Sequence, residues 1–122
     1  MQTNPLISVI IPTFNSAQRL RKCLYALTKQ TISQYEIIVC DDGSRDNTKE
    51  VVKKFKKVRY IQIPHSGSPG KVRNEGAKKA KGKILAFTDD DCYPSKDWLK
   101  NAVKYFKDKE VAPVRIFLNS GG

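Results

Sequence analysis

Three consecutive carboxylates, Asp89, Asp90 and Asp91, follow a short apolar run at residues 84–87. The large side chains of this run predict a buried strand that ends at the acids. Adjacent carboxylates at a strand end repel one another unless a cation lies among them. Hard cations such as Mg²⁺ take oxygen ligands from one or two carboxylates and from substrate phosphates. The stretch therefore predicts a divalent-metal site; the alternative is a solvated acidic turn before a helix N-terminus.

The composition predicts a globular protein. The chain has 122 residues, of which 39% are hydrophobic and 29% charged, and this balance excludes the disordered class. No apolar run is long enough to span a bilayer, and the first residues lack the pattern of a secretory signal. We therefore expect one domain over residues 1–118, an unstructured tail over residues 119–122, and a cytoplasmic location or the cytoplasmic part of a larger protein.

The cysteines do not form a metal or disulfide pattern. Cys23, Cys40 and Cys92 are widely spaced, and His65 is the single histidine of the sequence. A zinc site needs closely spaced cysteine or histidine pairs, which this chain does not have. The three cysteines are expected to be small core or loop residues in a reducing compartment.

The formal net charge of +11 favours polyanionic partners. Nucleic acid, an anionic membrane surface and a phosphorylated small molecule all fit this charge. No aromatic RNA-binding motif or zinc-finger spacing accompanies the lysines, many of which fall on predicted helix faces. We expect no nucleic-acid partner, while peripheral association with the cytoplasmic face of a membrane stays open.

Apolar runs alternate with segments of helical periodicity along the chain. We expect helices that open near Ser16, Asn47, Lys71 and Ser95. Proline is disfavoured inside a strand, so the first strand is expected to stop at Pro12 and the last to lie at an edge or to start late. The predicted strands are residues 6–11, 35–40, 58–63, 83–88 and 111–118. This alternation predicts an α/β fold: a Rossmann-like, mostly parallel sheet with helices on both faces.

Three of the predicted strands end in polar clusters, at residues 12–15, 41–44 and 89–91. In a parallel sheet, ligands bind in the crevice beyond the carboxyl ends of the strands, so these clusters should meet. No glycine-rich dinucleotide fingerprint follows the first strand, and the Gly70-Lys71 pair lacks the rest of a P-loop. A metal on the three acids is then the obvious means of holding phosphates.

Five stretches of the sequence carry a family resemblance, namely residues 9–15, 36–44, 73–77, 80–82 and 84–91. In their order and spacing they resemble the N-terminal, nucleotide-sugar-binding half of a family-2 glycosyltransferase with the GT-A fold, here truncated. The resemblance implies a nucleotide-sugar donor, such as a UDP-sugar, and Mn²⁺ or Mg²⁺ as cofactor. It also implies transfer to an acceptor hydroxyl with inversion at the anomeric carbon.

The resemblance also implies roles for individual residues. Residues 12–15 would line the base pocket, with Phe14 stacked on the base, and Asp41 would accept a hydrogen bond from the base edge. Arg73 would reach the base or a phosphate, while Asp91 would bind the metal that bridges the diphosphate. Cys92 stands where many relatives carry another acid, and it is expected to contribute nothing to the metal. The implied donor-binding residues are Pro12, Thr13, Phe14, Asn15, Asp41, Arg73, Asp89 and Asp90, and the implied metal ligands are Asp91 and Asp89.

The catalytic base and the acceptor site are expected outside this chain. The late acids Asp97, Asp108 and Glu110 fall in or beside the last predicted helix, and none matches the base of the family. Two other functions therefore remain open: a nucleotide-sugar-binding module that turns nothing over, and a basic nucleic-acid-binding domain. A magnesium-dependent phosphoryl-transfer enzyme is a weaker alternative, because the chain shows no phosphate-cradling glycine loop.

Overall fold

Strands and helices alternate along the chain in the computed structural model, which describes residues 5–107 and 115–118. The elements in chain order are β1 (Ile7–Thr13), α1 (Ala17–Leu27), β2 (Tyr35–Asp41), α2 (Thr48–Lys53), β3 (Val58–Gln62), α3 (Pro69–Lys78), β4 (Ile84–Phe87), α4 (Trp98–Lys107) and β5 (Arg115–Leu118).

The five strands form one sheet in the order β3-β2-β1-β4-β5, and every adjacent pair is parallel. The chain runs from β1 outward to β2 and β3 and then returns to β4 on the other side of β1. The strand order therefore reverses between β1 and β4, and a crevice opens at such a reversal. The predicted α/β class with a parallel sheet is confirmed.

Helices cover both faces of the sheet. Val9 and Val39 point to one face, where they share a core with Leu20 of α1, Val52 of α2 and Leu99 of α4. These side chains are 5% exposed or less, so the face is a closed apolar layer.

The opposite face receives α3. A Cβ built on Gly76 of this helix would lie 2.9 Å from Ile10 Cγ2 and 3.4 Å from Cys40 Cβ. Glycine at this position therefore lets α3 lie close against β1 and β2.

The expectation that the first strand stops at Pro12 is wrong, because β1 continues to Thr13. Backbone groups alternate sides along a strand: the Thr13 carbonyl accepts from Asp42 N just after β2, and the Ile10 carbonyl accepts from Thr88 N just after β4. Pro12 shares the side of Ile10, where pairing with β4 already ended at the Ile10–Phe87 pair. The missing N–H of Pro12 therefore costs no ladder hydrogen bond.

The connection from α3 to β4 is fixed to β1 by a glycine and a partly buried carboxylate. A Cβ on Gly82 would lie 2.7 Å from both Ile7 C and Ser8 N, so only glycine fits beside this backbone. Glu36 accepts hydrogen bonds from the Ser8 hydroxyl, from Lys81 N at 2.7 Å and from Arg59 at 2.7 Å. Gly82, expected to end the third helix, instead permits this close approach.

Several element boundaries differ from the expected ones. The third helix starts at Pro69 rather than Lys71, because Ser68 caps it through a 3.3 Å bond from Lys71 N and proline suits the first helical position. The fourth helix starts at Trp98 rather than near Ser95. The described part of the last strand is Arg115–Leu118, and it lies at an edge of the sheet, as Pro113 suggested. Residues 111–114 and the tail at 119–122 lie outside the described residues.

The capping side chains also differ from expectation. Neither Ser16 nor Asn47 makes a side-chain cap bond to its helix. The Asp46 carboxylate takes both roles, accepting from Ala17 N at 3.2 Å and from Thr48 N at 3.0 Å. Among the helices in the described ranges, none has the length and apolar character that a membrane span requires.

Candidate functional site

A pocket of about 370 Å³ lies at the carboxyl edge of the sheet, where β1 and β4 diverge. Three loops meet there: the turn after β1, the turn after β2 with the facing segment 65–69, and the acids after β4. It is lined by Pro12, Thr13, Phe14, Ser16, Arg19, Asp42, His65, Gly67, Pro69, Val72, Arg73, Asp89, Asp90 and Asp91. The sequence-predicted residues Pro12, Thr13, Phe14, Arg73, Asp89, Asp90 and Asp91 are therefore brought together.

Thr13 and Phe14 carry the turn after β1 into this pocket. The buried Thr13 hydroxyl donates a 2.8 Å hydrogen bond to Asp90 Oδ2, which joins the end of β1 to the acids after β4. Phe14 is 42% exposed, which is unusual for a large aromatic side chain and leaves its ring open to a ligand.

Asn15 lies outside the pocket lining and shapes the turn instead. Its φ of 46° is in the left-handed region, which asparagine tolerates better than most residues. Its N–H donates to Ser44 Oγ at 2.8 Å, and its Oδ1 accepts from Arg45 N at 2.8 Å. Asn15 therefore links the turn after β1 to the turn after β2.

The structure separates the two aspartates of the turn after β2. Asp41 is fully buried and does not line the pocket. Its Oδ1 accepts from Ser44 N at 3.0 Å and from the Ser44 hydroxyl, and its Oδ2 accepts from the Tyr60 hydroxyl. The expectation that Asp41 meets the base edge does not fit this position, because its carboxylate is fully buried and lies outside the pocket lining.

Asp42 is the aspartate of this turn that lines the pocket. Its Oδ1 accepts from Ser66 N at 2.7 Å, and its Oδ2 accepts from Gly67 N at 2.9 Å. Burial, the largest single influence, raises the pKa of Asp42, but these hydrogen bonds and the neighbouring His65 together hold it below its usual value. Asp42 thus stays ionised and holds the segment 65–67 against the turn.

His65 stacks on Phe14 with ring centroids 4.4 Å apart and an angle of 29° between the rings. Its Nδ1 lies 2.9 Å from the Asp42 carbonyl oxygen and 3.3 Å from Asp42 Oδ2. Sequence reasoning excluded His65 as part of a zinc site and did not place it in the ligand site. Pro64 follows the end of the third predicted strand, and this position indicates that the loop containing His65 lies at the carboxyl edge of the sheet.

Two of the three acids after β4, Asp89 and Asp90, have different neighbours. Asp89 Oδ1 lies 3.3 Å from Arg73 NH2, and Asp90 is bonded to Thr13 and lies 3.8 Å from Arg19 NH2. Burial raises the pKa of Asp90, and the Thr13 bond and Arg19 offset this only in part. The alternative interpretation, a fully solvated acidic turn, does not fit Asp90, because this acid is partly buried.

Donor atoms of Asp89, Asp91 and Cys92 lie within 4.8 Å of one another, close enough to hold one metal ion. The two carboxylates suit Mg²⁺ or Mn²⁺, which prefer oxygen ligands, while a thiol suits softer ions. Cys92 Sγ lies 3.8 Å from Asp91 Oδ1 within this group, and the absence of Cys92 from the metal site stays a prediction.

The other two cysteines are unreactive. Burial is the largest influence on both; it raises the pKa of Cys23 to about 12 and that of Cys40 to about 11. Both stay as neutral thiols at physiological pH, so neither is a nucleophile or metal ligand. This agrees with their expected role as small core residues.

The pocket therefore combines an exposed aromatic ring, a basic side chain on each flank and a carboxylate group suited to a divalent cation. Arg19 and Ser16, which sequence reasoning did not select, contact each other through a 2.6 Å hydrogen bond from Arg19 NH2 to Ser16 Oγ. Both lie within four residues of the polar cluster at residues 12–15, and this closeness in sequence could have identified them as pocket residues.

The sequence matches the family model described as "Glycosyl transferase family 2" over residues 8–121. It is 43% identical over 108 residues to glycosyltransferase AglE of Haloferax volcanii, covering 83% of this chain and 35% of that protein. It is 36% identical over 107 residues to the poly(ribitol-phosphate) β-N-acetylglucosaminyltransferase TarS of Staphylococcus aureus, covering 83% of this chain and 19% of TarS. The chain thus spans about a third and a fifth of these relatives.

Solved structures of similar proteins share the fold. TarS residues 1–349 in complex with UDP-GlcNAc superpose with a TM-score of 0.80 at 36% identity, over 84% of this chain and 31% of that one. The mannosyltransferase PcManGT from Pyrobaculum calidifontis, in complex with GDP-Man and Mn²⁺, gives a TM-score of 0.80 at 27% identity, over 89% and 34% of the two chains.

Proposed function

Because the chain belongs to glycosyl transferase family 2, we propose that it binds the nucleotide-sugar donor of a metal-dependent, inverting transfer of a sugar to an acceptor hydroxyl. The observation that supports this proposal best is the meeting of three strand-end loops around one pocket of about 370 Å³. An aromatic ring, a carboxylate turn and a candidate metal group lie in that pocket, as a base and a diphosphate would require.

The base subsite is proposed to lie between Phe14 and Asp42. The exposed Phe14 ring offers a stacking surface, and the aromatic pair with His65 would orient it. Asp42 replaces Asp41 in our proposal for reading the base edge, because Asp42 lines the pocket. A carboxylate accepts from the N–H that uracil and guanine both present, so base preference would depend on other contacts.

The diphosphate subsite is proposed to lie over Asp89 and Asp91. Either Mg²⁺ or Mn²⁺ fits their oxygen donors, and a metal bound there would supply Lewis-acid stabilisation of the negative charge that develops on the leaving diphosphate. Arg73 and Arg19 line the same pocket and would add positive charge beside the phosphates. Asp90, fixed by Thr13, would face the ribose.

The attack on the sugar is proposed to come from the face opposite the diphosphate, which inverts the anomeric carbon. A carboxylate base would remove the proton of the acceptor hydroxyl. None of the described acids in this pocket is free of another role, since each is placed at the base, ribose or metal subsite. The base and the acceptor site are therefore expected in a segment beyond the described residues.

Calorimetric titration of the protein with UDP, GDP, ADP and CDP, each with and without Mn²⁺, tests the proposal. We expect one diphosphate to bind much more tightly in the presence of Mn²⁺, and weaker binding of the matching monophosphate. Transfer and donor-hydrolysis assays with the preferred nucleotide sugar then separate an enzyme from a binding module. Equal affinity for all four nucleotides without any effect of Mn²⁺ would contradict the proposal.

A further inference from the structure

A second concave surface lies at the opposite, amino edge of the sheet. We call it the amino-edge groove; it is formed by the segments at residues 28–37 and 54–58, and its volume is about 470 Å³. These segments lie before and at the start of β2 and β3. The pocket at the carboxyl ends of the strands, called the donor pocket below, lies at the other edge. A seven-residue strand such as β2 spans roughly 23 Å, so the groove is distinct from the donor pocket.

The floor of the groove is apolar. Ile32, Tyr35, Phe55 and Val58 contribute to it, and each is only partly buried by the core beneath. The Tyr35 hydroxyl donates to the Leu27 carbonyl oxygen, so its polar end is satisfied and its ring remains for apolar contact. The floor therefore offers hydrocarbon surface without an unsatisfied polar group.

The rim of the groove is basic. Lys54, Lys56 and Lys57 line it and are exposed, and no acidic side chain of residues 5–107 lines it. Among the ion pairs in the described part of the chain, none involves these lysines. Three neighbouring ammonium groups without a carboxylate partner favour a multivalent or repeated anion.

The basic rim continues along the same edge of the sheet. The exposed Lys79, Lys81 and Lys83 precede β4 there. Two of the described acids near this edge are already bonded: Glu36 holds Arg59, and Asp97 accepts a 2.8 Å hydrogen bond from Thr31. Among the described residues, the groove is therefore lined by lysines without acids, whereas the donor pocket contains both carboxylates and arginines.

We propose that the amino-edge groove is a docking site for an anionic phospholipid bilayer, with lipid phosphates on the lysines and acyl-chain or glycerol carbons against the apolar floor. A concave apolar surface rimmed by lysines matches an amphiphile that is anionic at one end. A nucleic acid would satisfy the lysines, but it would leave the apolar floor without a partner. The bilayer would then lie against the edge of the sheet opposite the donor pocket.

Flotation with phosphatidylcholine vesicles, with and without phosphatidylglycerol, tests the proposal. The protein should float only with the anionic vesicles. Each lysine near such a surface contributes roughly five-fold to partitioning, so the triple variant Lys54→Gln, Lys56→Gln, Lys57→Gln should bind on the order of 100-fold more weakly.

A matched control removes the same charge elsewhere. Arg45, Lys49 and Lys71 are exposed, lie towards the carboxyl edge and do not line the donor pocket. The variant Arg45→Gln, Lys49→Gln, Lys71→Gln should keep most of the vesicle binding. An equal loss in both triple variants would overturn the proposal, because the effect would then come from net charge alone.

The apolar floor needs its own test. Ile32→Asp places a carboxylate on the floor and should weaken vesicle binding at unchanged circular dichroism. Should this variant misfold, chemical shifts of the Ile32 and Val58 methyl groups on titration with dioctanoyl phosphatidylglycerol give the same information. Vesicle binding that single-stranded RNA displaces completely, with no response of these methyl groups, would point to a nucleic-acid surface and overturn the proposal. A groove that instead mediates dimers, seen as a concentration-dependent mass that Ile32→Asp abolishes, would also overturn it.

Discussion

The Thr13 hydroxyl is bonded at 2.8 Å to Asp90 Oδ2, although the two residues are 77 positions apart in the chain. This bond connects the end of β1 to the acids after β4 across the point where the strand order reverses. It also explains why Asp90 is partly buried while Asp89 and Asp91 are exposed. The bond therefore holds Asp90 against β1 and leaves the carboxylates of Asp89 and Asp91 accessible.

Replacing Thr13 by valine should disturb this arrangement without changing side-chain size. Loss of one hydrogen bond to a charged group should cost about 1.5–3 kcal/mol of unfolding free energy, measured by urea denaturation. The pKa of Asp90 should rise further, because the Thr13 bond lowers it. Thr28→Val removes only an exposed bond to a backbone carbonyl and serves as the control.

The two aspartates of the turn after β2 should give different phenotypes. Asp41→Asn should mainly destabilise the fold, by about 1–3 kcal/mol, because the buried amide cannot accept all the bonds that Ser44 and Tyr60 donate. Asp42→Asn should instead change the ratio of affinities for different nucleoside diphosphates. Calorimetry and thermal unfolding on both variants check this. A change in base preference that follows Asp41 rather than Asp42 would contradict our assignment of the base subsite.

Asp91→Asn should remove the metal dependence of nucleoside-diphosphate binding. The neutral amide weakens the oxygen donor set that Asp89 and Asp91 provide for Mg²⁺ or Mn²⁺. Affinity measured without metal should change little, and affinity with Mn²⁺ should fall to that level. Asp97→Asn, in an acid that bonds Thr31 outside the pocket, is the control. Unchanged metal-dependent affinity in the Asp91 variant would rule out this ligand.

Glu36 should contribute to the acid sensitivity of the fold. Burial, the largest single influence, raises its pKa, but bonds from Ser8, Lys81 N and Arg59 together bring the pKa below its usual value. A carboxyl with a lowered folded-state pKa stabilises the protein above its unfolded value of about 4.3, and this stabilisation is lost as pH falls through the folded value.

The unfolding free energy should therefore decrease as pH falls below about 4.3, and Glu36→Gln should flatten this dependence. Urea denaturation at a series of pH values measures the slope. Asp42 and Asp46 also have lowered pKa values and contribute to the same window, so the slope should be reduced and not abolished. Glu50→Gln, in an exposed acid of the first turn of α2, is a suitable control. An identical slope in wild type and Glu36→Gln would contradict the prediction.

Two glycine-to-alanine substitutions should have different effects on the free energy of unfolding. Gly82→Ala should destabilise the protein by about 1–3 kcal/mol or more, because the new methyl group meets the backbone of β1 at 2.7 Å. A Cβ built on Gly70 of α3 would have no neighbouring atom within 4 Å. Gly70→Ala should therefore leave the free energy of unfolding unchanged or raise it by about 0.4–1 kcal/mol. Thermal unfolding of both variants is the measurement. Equal stability of the two variants would show that the approach of Gly82 to β1 is looser than described.

The sequence was sufficient for the fold class because strand and helix periods differ clearly in this chain. It also placed Thr13, Phe14 and the three acids at one edge, since parallel strands end together. It could not separate Asp41 from Asp42, because two adjacent residues at a strand end point in opposite directions and the last strand residue was uncertain. The contacts of Tyr60 and His65 depend on strand order, which periodicity does not give.

Pro12 has a consequence for the shape of the donor pocket. Pro12 has no backbone N–H on the side of β1 that faces β4. It therefore cannot donate the hydrogen bond that would extend the β1–β4 pairing beyond the Ile10–Phe87 pair. The missing N–H of Pro12 is thus one reason why the two strands do not pair across the opening. Loop substitutions around it can alter what the pocket binds while the gap itself persists.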